Sequence, residues 1–131
     1  SFSLRHEMWG TRDMAAFLCI PAALRFREKH NWKTRHREAR ALLYEFRDKF
    51  SIEFDRETIC DQSWLAQIAG VLLPAETKLF ELWQYLWEEH RIEAMITRWR
   101  EEPIIRLSYN AYNTPDELDL LLQAIRQYQN L

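Results

Sequence analysis

Residues 104–114 read Ile-Ile-Arg-Leu-Ser-Tyr-Asn-Ala-Tyr-Asn-Thr. Here Ile105, Leu107 and Tyr109 alternate with Arg106, Ser108 and Asn110, the period of two that sends one set of strand side chains to an apolar face and the other set away from it. Arg106 therefore falls on the face turned from the apolar layer. Thr114 and Glu117 then make a Thr-x-x-Glu capping box, and Pro115 stands at the first helical position, where a missing N–H costs nothing. A strand, a corner and a helix are specified one after another.

The neighbouring segments supply partners for this strand. Upstream, Ile92, Ala94 and Ile96 oppose Glu93, Met95 and Thr97, predicting a strand over 92–99. The polar link Arg100-Glu101-Glu102-Pro103 lets it pair antiparallel with the strand that follows. Before it, Leu79, Leu82, Trp83 and Leu86 predict a helix over 77–90, closed by His90 and Arg91 where the helix dipole favours cations. Residues 66–73 are apolar with β-branched members and stop at Pro74, which predicts a buried strand. Downstream, Leu118, Leu121, Leu122, Ile125 and Tyr128 share one face of a terminal helix over 115–129.

Towards the start of the chain, Ala39, Leu42, Leu43, Phe46 and Phe50 predict the longest helix, over 32–50, with Asn31 as its cap. Residues 14–20 suit a short helix, and Pro21 either kinks it or starts a second one through Ala22, Leu24 and Phe26. A short extended piece is expected at 52–54. Residues 1–13 read as a polar, irregular lead-in with backbone freedom at Gly10. The expected architecture is α+β: a two-layer small domain over 14–131, with a three-stranded, mainly antiparallel sheet covered on one face by helices.

The 131 residues fit one domain, and 47% hydrophobic content is enough for a core. Six Trp, seven Phe and five Tyr are many large side chains to cover, and a partner is expected to cover some of them. No apolar run approaches the length of a membrane span, and a net charge of −2 carries no nucleic-acid signature by itself. The two cysteines, Cys19 and Cys60, have neither a disulfide framework nor a metal spacing, so a cytoplasmic location is expected. The opening Ser-Phe-Ser, without Met or a signal-peptide pattern, reads as a piece of something longer.

No Gly-x-Ser-x-Gly elbow marks a nucleophile. Cys19, among Phe17, Leu18 and Ile20, reads as a buried structural thiol. His6, His30, His36 and His90 have no metal-ligand spacing and read as surface groups. Between Arg25 and Arg40, the residues Arg27, Lys29, Lys33, Arg35 and Arg37 surround Trp32, a pattern that suits RNA or an acidic partner of a non-catalytic interaction module. The bases are spread around two helix ends, which favours a solvated face, and nucleic acid is the second reading. Arg106 differs, because a guanidinium within a strand between Ile105 and Leu107 calls for an anionic partner. A carboxylate of this domain or of a ligand would serve, bound through charge-assisted bonds of roughly 1.5–3 kcal/mol each.

Two motifs carry a family likeness. Arg106 to Thr114, with Pro115-Asp-Glu-Leu-Asp119 and the terminal helix after it, resembles the C-terminal end of class V aminotransferase-like enzymes that use pyridoxal 5′-phosphate, and within them the isopenicillin N epimerase branch, related to cysteine desulfurases and selenocysteine lyases. Trp9-Gly-Thr-Arg-Asp13, followed by Ala15-Ala-Phe-Leu18 and Ile20-Pro-Ala-Ala-Leu24, resembles the segment that leads from their large cofactor domain into the small one. The resemblance spans nearly the whole chain, least clearly over 51–63. It implies the C-terminal domain of a fold-type I enzyme, reached through a lead-in over 1–13 from a large pyridoxal-phosphate domain of the same chain, in a homodimer.

The resemblance also implies roles. Arg106 would bind the α-carboxylate of an amino-acid substrate, and Thr11, at the turn made by Gly10, would reach the cofactor phosphate of the neighbouring subunit, with Arg12 assisting. A fork-shaped cation suits a carboxylate, and a hydroxyl with backbone N–H suits a phosphate. The family's Schiff-base lysine lies in the large domain, so this segment alone is expected to hold neither cofactor nor activity. Residues 91–105 lack the cysteine of the sulfur-handling relatives, which favours epimerase-like or transaminase-like chemistry. Without the rest of the enzyme, Arg106 is expected to be exposed or to hold a solvent anion.

Overall fold

The computed structural model describes residues 2–7, 10 and 13–131. They form two compact units, Ser1–Lys33 and Thr34–Leu131. In the first, α1 (Phe2–Glu7) occupies part of the expected irregular lead-in. Its local cause is an i,i+4 pair: the rings of Phe2 and His6 stack at 4.0 Å, and His6 Nδ1 lies 2.8 Å from the Phe2 carbonyl. Helix α2 (Ala15–Leu18) starts where Asp13 Oδ1 accepts the Ala15 N–H at 2.8 Å. Pro21 lies in the first turn of α3 (Ile20–Lys29), so of the two readings it is the one that starts a new helix. Cys19 is exposed, against the expected buried thiol. Neither α2 nor α3 buries a residue, because helices this short supply no second layer to enclose a side chain. Asn31, with φ 49, turns the chain by its tolerance of the left-handed region.

The second unit carries most of α4 (Trp32–Glu53), whose Ala39, Leu43, Phe46 and Phe50 are buried at helical spacing. The extended piece expected at 52–54 does not form. The helix runs through Ile52 and Glu53, whose carboxylate Arg126 grips from the last helix, with Nη2 at 2.8 Å from Oε2. Phe54 then folds back, its ring 4.6 Å from that of Phe50 and its N–H donating to the Phe50 carbonyl.

The sheet consists of β1 (Ile68–Leu72), β2 (Met95–Trp99) and β3 (Glu102–Ser108), in the order β1-β3-β2 with both pairings antiparallel. The Arg106 strand is thus the central one. Strand β2 begins at Met95 and not at Ile92, because Arg91 (φ 56) and Ile92 are used to close α5 (Leu79–His90). The Arg91 N–H donates to Trp87 and the Ile92 N–H to Leu86, a Schellman-type ending without glycine. The β2–β3 hairpin turns through Arg100 (φ 48) and Glu101 (φ 68), the double left-handed geometry that matches strand twist. Arg100 lies over the Trp99 ring at 4.6 Å, and Arg98 Nη1 donates to the Glu101 carbonyl at 2.7 Å.

One sheet face is buried and the other is not. Ala69, Val71, Ile105, Leu107 and Tyr109 join Leu82 and Leu86 of α5 and Leu118, Leu121, Leu122, Ala124 and Ile125 of α6 (Pro115–Gln129) in one core with the α4 stripe. At roughly 1.5–3 kcal/mol for each fully buried aliphatic side chain, this stripe-on-sheet packing drives the fold. It is the expected two-layer α+β architecture, with Arg106 and Ser108 on the uncovered face.

Candidate functional site

Strand register fixes the surroundings of Arg106. Its cross-strand partners are Gly70 on β1 and Met95 on β2, so one flank carries no side chain and the other a flexible thioether. A Cβ on Gly70 would meet Ile59 Cδ1 at 3.1 Å, which shows that the loop before β1 closes over that flank. Ile59 reaches this place because Thr58 bridges to Val71, and Arg56 pairs with Glu102 at the start of β3. Arg106 itself is exposed, and among the described residues it makes no hydrogen bond or ion pair. Its ion-pair partner is therefore not supplied by this unit.

Arg106 lines a cleft of about 650 Å³. The cleft exists because β2 starts late. In β3 the odd-numbered residues turn their backbone groups towards β1, as the bonds from Tyr109 N–H to Gln67 and from Leu73 N–H to Pro103 require. The even-numbered ones face β2, which starts opposite Arg106. The backbone of Ser108 thus looks into the cleft past the end of its neighbouring strand. Trp83, Met95 and Leu120 give the walls apolar surface, and Glu93 and Glu117 give them negative charge.

Next to Arg106 two further groups were not legible in the sequence. Tyr109 is 4% exposed, its hydroxyl has no hydrogen-bond partner, and burial, seconded by the Glu117 charge, raises its pKa. His90 Nε2 is likewise buried and without a partner, with the Tyr85 ring edge-on at 5.1 Å. This corrects the reading of His90 as a plain surface group. Alternation placed Tyr109 on the apolar face, and no pattern of residue types signals that a buried hydroxyl lacks an acceptor. Beside them Asn113 Nδ2 donates to Glu117 Oε2 at 2.9 Å and the Thr114 N–H donates to the same oxygen at 3.0 Å, which depresses the Glu117 pKa.

The remaining candidates lie apart in sequence. Gly10 has φ +82, and nothing lies within 4 Å of where a Cβ would stand. It is an open left-handed turn of the kind that lets backbone N–H groups approach an anion. Thr11 and Arg12 lie outside the described residues. Of the basic series, Arg40 is occupied, donating to the Tyr44 hydroxyl and, at 3.1 Å, to the Leu65 carbonyl. Among the described residues no three His, Cys, Asp or Glu side chains are grouped to hold a metal, and no helix is long and apolar enough to cross a membrane.

Isopenicillin N epimerase of Streptomyces clavuligerus is 30% identical to the chain over 128 residues, which make up 92% of the chain and 31% of that protein. The chain is similar to isopenicillin N epimerases. The isopenicillin N epimerase of Amycolatopsis lactamdurans is 25% identical over 123 residues, again 92% of the chain and 31% of the relative. The chain thus spans about a third of the length of these epimerases, and the resemblance read from its two terminal motifs stands. No family model matches. Among solved structures, 8-amino-7-oxononanoate synthase from Francisella tularensis superposes with a TM-score of 0.50 at 22% identity, over 72% of the chain and 29% of that protein, a likeness of fold alone.

Proposed function

We propose that residues 14–131 form the small domain of a pyridoxal 5′-phosphate-dependent, amino-acid-transforming enzyme, in which Arg106 binds the substrate α-carboxylate and the domain helps to close the active site. The observation that carries this reading is the state of Arg106. It is a cation on the central strand, exposed, without an ion-pair partner in its own unit, and set on the rim of a cleft. An arginine kept only for stability would be paired within the fold, as Arg47 is with Asp48 at 2.6 Å. A planar guanidinium meets a carboxylate through two parallel N–H···O bonds, which fixes the orientation of the substrate as well as its position.

The epimerase likeness supports pyridoxal 5′-phosphate as the cofactor of the whole protein and a larger domain in the same polypeptide. When bound, the cofactor supplies an electron sink for charge developing at the substrate α-carbon. The open turn at Gly10 fits an anion, and in this reading Gly10 and Thr11 contact the cofactor phosphate of the neighbouring subunit of a homodimer, with residues 1–13 leading in from the large domain. The fragment by itself, lacking that domain, holds no cofactor and is inactive.

In the complete enzyme, Arg106→Ala is expected to raise the apparent amino-acid constant by about 10- to 100-fold while leaving the cofactor absorbance in place, the loss of one bidentate charged contact. Unchanged amino-acid affinity would sink the role. Thr11→Val is expected to lower cofactor retention on dialysis, and full retention would leave Thr11 as no more than part of a turn.

A further inference from the structure

The cleft beside Arg106 contains two polar atoms that carboxylate binding leaves unused. The Tyr109 hydroxyl and His90 Nε2 are both buried, both lack a partner, and both belong to residues on the wall of the same cleft. Native proteins satisfy nearly all such atoms, so two on one wall mark hydrogen bonds kept for something that enters. We propose that Tyr109 and His90 form a second subsite, which takes an uncharged carbonyl group on the side chain of an amino acid whose α-carboxylate is held by Arg106. This rests on the reading of Arg106 given above.

The chemistry of the walls selects the ligand group. Tyr109 keeps its proton, because burial and the neighbouring Glu117 oppose its ionisation, so it donates. Glu117 and Glu93 oppose a second carboxylate at that end of the cleft. An amide or ester carbonyl accepts from the phenol without bringing charge. Arg106 and Tyr109 are three positions apart, roughly 10 Å along an extended chain. The surface of Trp83, Met95 and Leu120 lies on the same cleft wall. The matching substrate class is an amino acid with an extended aliphatic side chain that carries a neutral carbonyl, not a small one such as alanine.

Calorimetric titration of the complete holoenzyme with N6-acetyl-L-lysine and with L-norleucine tests this. The acetylated probe is expected to bind at least about fivefold more tightly, the effect of one buried hydrogen bond. Tyr109→Phe is expected to erase that ratio while leaving norleucine affinity within about twofold. Equal affinities in the unaltered enzyme, no measurable binding of either probe, or a ratio untouched by Tyr109→Phe overturns the subsite. Arg106→Ala separates the two readings. It weakens both probes equally if Arg106 is the carboxylate anchor, and if it changes neither, the anchor fails whatever the ratio does.

Discussion

Arg106 and Tyr109 stand three residues apart on one strand and differ in how much of their situation the sequence carries. Alternation with Ile105 and Leu107 was enough to turn Arg106 outward, because strand periodicity is a property of the backbone. The missing partner of the Tyr109 hydroxyl depends instead on what α5, α6 and the late start of β2 leave around it, and a short sequence window holds none of that. Keeping a buried hydroxyl unsatisfied is costly. Tyr109→Phe is therefore expected to stabilise the chain by about 1 kcal/mol, raising the urea midpoint at unchanged slope. A lower midpoint would mean that the hydroxyl has a partner in the folded protein.

Among the elements, α6 is the one most fully written in the sequence. Its capping box, its Pro in the first turn and its Leu118, Leu121, Leu122 and Ile125 stripe all appear in place. Glu117 accepts from Asn113 and from the Thr114 N–H, and its folded pKa lies below the ordinary glutamate value. A depressed carboxylate pKa contributes stability above the unfolded value, and that contribution is lost as pH falls through the folded one. Unfolding free energy is thus expected to fall with acidification through the ordinary glutamate range more steeply in the parent than in Glu117→Gln. Glu117→Ala at neutral pH is expected to cost about 0.5–1 kcal/mol. Equal acid slopes for parent and Glu117→Gln would show that the box contributes nothing. The hairpin and the α5 ending were less legible, since left-handed residues at Arg91, Arg100 and Glu101 occur where glycine or asparagine is the usual signal. The Arg98 bond to Glu101 and the Arg100–Trp99 contact help to hold the hairpin in that geometry.

At the scale of the molecule, the α+β class, the antiparallel sheet and the helix-covered face follow from amphipathic periodicity, and the 34–131 unit matches them. Local pattern was a poorer guide at the edges. Helix α1 formed from a single i,i+4 ring pair, and Cys19 stayed exposed although its neighbours are apolar, because composition says nothing about which layer a segment meets.

The strand order has a temporal side. Strands β1 and β2 never touch, and each pairs only with β3, which follows both along the chain. While a ribosome is still adding residues up to 101, no sheet of this topology can exist. The apolar residues of β1, Ala69 and Val71 among them, wait for Leu107 and Ile105 to emerge. The chain must carry that unpaired strand through synthesis, so the interval before β3 appears is when it is most exposed to misassociation and to capture by chaperones.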